Sequence, residues 1–126
     1  MARLDPDILS QAERLADRVL DVVEALSGTP CSRRIVDQLA ASGTSIGANV
    51  FEADEAMSRP DFVRCLAIAV KEANETRFWL RLIARRAWLA PDRLTSLEQD
   101  VNSFKRILGA MIARTKKPAR TPAAPL

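Results

Sequence analysis

The chain contains no histidine and no tyrosine, and only four glycines and two cysteines among its 126 residues. Without an imidazole, Ser42 and Ser45 have nothing to activate them as nucleophiles. The same absence leaves Cys31 and Cys65 without the partners that a metal site would need. Two cysteines far apart in sequence do not make a disulfide framework, and both are expected to be buried thiols. No glycine-rich phosphate loop or dinucleotide fingerprint occurs. No cofactor, metal or catalytic role is therefore expected. There is no run of about eighteen apolar residues, and the charges in MARLDPDILSQAERL leave no room for the apolar stretch of a signal peptide. A cytoplasmic location away from membranes is the expectation. Missing tyrosine and scarce glycine, against abundant alanine and aliphatic residues, favour helices over sheet.

What the sequence does hold is an uneven distribution of charge. Residues 1–63 carry six Lys/Arg against eleven Asp/Glu, and residues 64–126 carry thirteen against five, so the halves stand at −5 and +8. From Val101 onward there is no acid, while Lys105, Arg106, Arg114, Lys116, Lys117 and Arg120 are basic. A basic half of this kind points to a polyanionic partner.

Four segments carry helical periodicity, over about 5–26, 32–56, 59–88 and 91–115. In the first, Asp5 is the N-cap with Pro6 behind it, and Ile8, Ala12, Leu15, Val19, Val22 and Leu26 form the stripe. Ser27-Gly28-Thr29-Pro30 ends it. The second carries Ile35, Leu39, Ser42, Ile46, Asn49 and Ala53 on an unusually polar stripe. Gly43 and Gly47 each cost about 1 kcal/mol of helix propensity relative to alanine. Close approach of a neighbouring helix would offset that cost, and a break at Ser42-Gly43-Thr44 is the competing reading. The third opens on a capping box, Ser58 with Asp61, and runs through Phe62, Leu66, Ala69, Ala73, Thr76, Leu80, Ile83 and Ala87. The fourth starts near Pro91 and carries Leu94, Leu97, Val101, Phe104, Leu108 and Met111. Such segments with short connections predict an all-α, up-and-down four-helix bundle over 1–115. The Pro-rich basic tail, 116–126, is expected to be disordered.

Three stretches together carry a resemblance. They are Ser45-Ile46-Gly47-Ala48-Asn49-Val50-Phe51-Glu52-Ala53, then Ser58-Arg59-Pro60-Asp61-Phe62, then Ile68-Ala69-Val70-Lys71-Glu72-Ala73-Asn74-Glu75-Thr76. The chain resembles the four helix bundle protein family over roughly residues 10–115. That family includes proteins encoded in 23S rRNA intervening sequences and is similar to the accessory variability determinant (Avd) of diversity-generating retroelements. Ser45, Asn49 and Glu52 are the motif residues. Asp54 stands where the family usually has glycine, and Glu55 where a basic residue often follows. The resemblance implies a left-handed bundle. In the retroelement branch it implies a ring-like homopentamer that binds nucleic acid or a reverse transcriptase.

On a helical wheel of the third segment, Arg64, Lys71, Phe78, Arg81 and Arg85 share a face away from the core stripe. The cations suit RNA or DNA phosphates, and an exposed Phe78 suits stacking on an unpaired base. The other flank holds Cys65, Ile68, Trp79 and Leu82 beside Glu72 and Glu75, more apolar width than one stripe requires. A broader core or a neighbouring subunit is expected to cover it, which makes Ile68, Trp79 and Leu82 candidate interface residues. Glu72 and Glu75 lack the further ligands of a di-metal site and are expected to pair with arginines. Asn49 is expected to bond across the bundle and fix its register, with an interaction site as the rival reading. The leading functional expectation is a non-enzymatic, homo-oligomeric nucleic-acid-binding module. The alternative is a protein-interaction scaffold without a nucleic-acid role.

Overall fold

The computed structural model describes residues 4–116. Within them α1 (Pro6–Ala25), α2 (Arg33–Asp54), α3 (Arg59–Arg85) and α4 (Pro91–Lys116) form a four-helix bundle. Each helix packs on its chain neighbour, and α1 closes against α4. The tail expected to be disordered falls outside the described residues, except that Lys116 is the last residue of α4.

The helix starts follow the local chemistry. The Asp5 carboxylate accepts the Asp7 N–H at 2.9 Å, and Ser32 Oγ accepts that of Ile35 at 3.3 Å. Ser58 Oγ accepts the Asp61 N–H at 3.2 Å, but the Asp61 carboxylate turns forward to Arg64 rather than back to the cap. Gly28, beyond the end of α1, is left-handed with φ 81°. Residue 87 departs from expectation, because α3 ends at Arg85 and Ala87 is exposed, with φ 55°. The Ala87 N–H reaches the Ala84 carbonyl and the Trp88 N–H reaches that of Ile83, the paired bonds of a Schellman cap. Ala87 thus terminates the helix instead of extending its core stripe.

The core stripes of α1, α3 and α4 follow the expected positions, with Val19, Leu66, Ala69, Ile83, Val101 and Leu108 fully buried, except that Ile8 and Met111 are only half-buried. At 1.5–3 kcal/mol per buried aliphatic side chain, these rows are the main stabilising term. α2 differs in detail. Its buried row is Leu39, Ser42, Gly43, Ile46, Gly47, Val50, Ala53 and Asp54, so Val50 takes the place expected of Asn49. The helix runs unbroken through Gly43, where a Cβ would stand 2.3 Å from Val19 Cγ1. The glycines therefore serve close approach of α1, not a break, and this draws the buried face of α2 towards Val50. Register with α3 is marked by a different buried polar pair. Thr76 Oγ1 lies 3.0 Å from Ser42 Oγ and 2.8 Å from the Glu72 carbonyl. Asp54 is buried and accepts the Leu4 N–H at 2.8 Å, tying the chain ahead of α1 to the end of α2.

Candidate nucleic-acid interface

Positions on the wheel of α3 sort its outward residues into two flanks, one towards α4 and one towards α2. The seam with α4 is fixed by two polar bridges. Arg77 donates to Glu98 Oε1 from Nε at 3.3 Å and from Nη2 at 3.2 Å, and Lys105 Nζ donates to Asn74 Oδ1 at 3.2 Å. Beside this seam stand exposed Lys71, Arg81 and Arg85 of α3, with half-buried Lys105 contributed by α4. Phe78 lies among them with 58% of its surface exposed. Glu98, the acid within the seam, is neutralised by Arg77, and exposed Glu75 remains on the ridge of α3. Between the upper turns of the two helices runs a groove of about 390 Å³.

Arg64 does not belong with these cations as a free charge. Its guanidinium is ion-paired to Asp61 at 2.7 Å, and that carboxylate holds its pKa above the ordinary value. Lys105 is legible in sequence as a basic residue, but only the packing of α4 on α3 brings it to Asn74, one turn from Lys71. Lys71, Phe78, Arg81 and Arg85 stay together as expected.

The α2 flank of α3 carries half-buried Ile68, Glu72, Trp79 and Leu82. The ring of Trp79 meets Phe78 edge-on at 5.0 Å, and its buried Nε1 has no hydrogen-bond acceptor among the described residues. Burial is the main cause that pushes the Glu72 carboxyl up, and Glu75 adds to it while Lys71 opposes it. Neither glutamate forms an arginine ion pair among the described residues, contrary to expectation. Burial also raises the Cys65 thiol, helped by Asp61 and Glu52 and opposed by Arg64. Cys65 is buried as expected, whereas Cys31 is only half-buried.

The motif residues lie on the part of α2 bordering this same flank. Asn49 bonds within its own helix, Nδ2 donating to the Ser45 carbonyl at 2.9 Å and contacting Ser45 Oγ at 3.1 Å. The expectation of a bond across the bundle is corrected: half-buried Asn49 sits at the edge of the α2 core row, within reach of its own preceding turn. Glu52 is exposed and near enough to influence both Arg64 and Cys65.

No helix among the described residues is long and apolar enough to cross a membrane. Comparison with known proteins finds no curated relative. Among solved structures, the chain is similar to a protein of unknown function from the S23 ribosomal protein family of Bacteroides thetaiotaomicron. The two share 34% sequence identity and a TM-score of 0.79 over 83% of this chain and 97% of the other. The family model of the 23S rRNA-intervening sequence protein matches residues 5–110. With four helices packed as the motif residues led one to expect, and a match spanning nearly all of them, the chain belongs to the 23S rRNA-intervening sequence protein family.

Proposed function

We propose that this protein is a non-enzymatic, homo-oligomeric module that binds nucleic acid through the α3–α4 seam. The observation that carries the reading is the set of exposed Lys71, Arg81 and Arg85 on one helix with exposed Phe78, joined by Lys105, which bonds Asn74 one turn from Lys71, with Glu98 already paired. Arginine and lysine neutralise backbone phosphates without reading sequence, and an exposed aromatic ring offers a stacking face to any unpaired base. The α2–α3 flank supports self-association. Half-buried Ile68, Trp79 and Leu82 give it apolar surface that a neighbouring subunit would cover.

The test is fluorescence anisotropy with RNA and DNA across a salt series. Binding should weaken steeply with salt, the logarithmic slope falling by about 0.7 to 0.9 for each phosphate contact removed. Arg81→Glu and Arg85→Glu should each reduce affinity and flatten the slope, whereas Arg64→Glu should do neither. Failure to bind at low salt overturns the reading. That result would leave the protein-interaction reading, which the apolar flank with Trp79 favours.

A further inference from the structure

The groove between the last turns of α3 and the first turns of α4 has a composition the basic seam alone does not require. Leu80 and Leu94 lie beneath it, almost wholly covered at 1% exposure each, and half-buried Ala84 supplies the apolar surface within it. Arg81 and Arg85 line it on the α3 side and Thr95 on the α4 side. Glu98 also lines it, and both of its bonds from Arg77 fall on Oε1. Among the described residues, Oε2 therefore keeps its capacity to accept a hydrogen bond. The groove, of about 390 Å³, is open to solvent, and four of its seven lining residues are polar or charged.

We propose that this groove receives one unpaired nucleobase, with the flanking phosphates on Arg81 and Arg85, so that the protein prefers single strands to duplex. The proposal rests on the nucleic-acid reading and adds what part of the polymer is held. Charge complementarity selects the occupant. Two exposed arginines, whose planar guanidinium groups both pair with phosphate and stack on flat rings, beside half-buried Ala84 match a ligand whose anionic groups are linked to a flat ring. The free Glu98 oxygen can accept from an amino or ring N–H of the base edge. In a duplex those edges are paired and the ring faces are stacked, so a base enters a cleft between two helices only from a single strand.

The experiment compares a labelled RNA oligonucleotide alone and annealed to its complement, at one low salt concentration. Wild type should bind the single strand about tenfold or more tightly over the duplex, the order expected from contacts to one base. Ala84→Phe fills the groove while leaving every charge in place. It should cut that preference several-fold, leaving what stacking on Phe78 supplies, yet keep duplex binding and its salt slope. Thr95→Phe, at an exposed position, obstructs the same groove and should act alike should Ala84→Phe impair folding. Equal wild-type affinity for the two forms, or a preference untouched by a folded groove-filling variant, overturns the proposal while the nucleic-acid reading stands. Absence of any binding at low salt overturns both.

Discussion

Gly43 and Gly47 lie one turn apart on α2, yet they meet α1 differently. A Cβ at Gly43 would fall 2.3 Å from Val19 Cγ1 and 2.9 Å from Val19 Cβ, in a place where Val19 is wholly buried. Overpacking of about 1–3 kcal/mol exceeds the gain in helix propensity of about 1 kcal/mol. Gly43→Ala should therefore lower stability in chemical denaturation, and adding Val19→Ala should recover part of the loss. At Gly47 the nearest atom is the Ala12 carbonyl oxygen at 3.4 Å, so Gly47→Ala should be neutral or gain up to about 1 kcal/mol. Equal effects at the two positions would refute this account of close approach. Ala87 presents the opposite case, a side chain where the backbone is left-handed. That conformation costs an alanine about 1–2 kcal/mol, and the looser unfolded chain of a glycine variant takes back roughly half. Ala87→Gly should raise the melting temperature by a few degrees, and a lower value would show that the cap is not strained.

At the scale of the element, α3 carries a core row and two outward flanks of different chemistry. The core rows were legible because burial repeats at the helical period within one segment. What the sequence left hidden depends on neighbours in space. A helical wheel groups Arg64 with the other cations because it shows direction but not the ion pair to Asp61. Lys105 joins that face only in the fold, because its place beside Asn74 is set by the packing of α4 on α3. Asn49 and Val50 exchanged roles because the glycines let α1 draw close and shift the buried face of α2. Glu72 gives this flank a pH response. Its raised pKa means the folded state favours the protonated form, chiefly through burial and then through Glu75. The folded chain thus binds more protons there than the unfolded one, so this contribution to stability is complete below the unfolded value and disappears as pH rises through the folded value. Glu72→Gln should accordingly flatten stability against pH, gaining on wild type at neutral pH relative to acid. A parallel pair of curves would mean that Glu72 is not held in a desolvated site.

For the whole molecule, what matters is that the two flanks of α3 face different ways. A subunit interface built on Ile68, Trp79 and Leu82 would occupy the α2 side and leave Lys71, Arg81, Arg85 and Arg106 open to solvent. Self-association and nucleic-acid binding would then be compatible, and each added subunit would bring another basic seam to the same polymer. Linked sites of this kind raise avidity by about 10²–10⁴ without any new contact, provided the ligand can span them. Trp79→Glu places a charge in the apolar flank and should reduce the mass measured by light scattering to that of one chain. The same variant should bind a short oligonucleotide, able to occupy one seam, as wild type does. For a long RNA its affinity should fall by orders of magnitude, because only the assembled protein engages several seams at once. An unchanged oligomer would remove Trp79 from the interface. Dissociation with undiminished affinity for long RNA would show instead that a single subunit makes all the contacts that count.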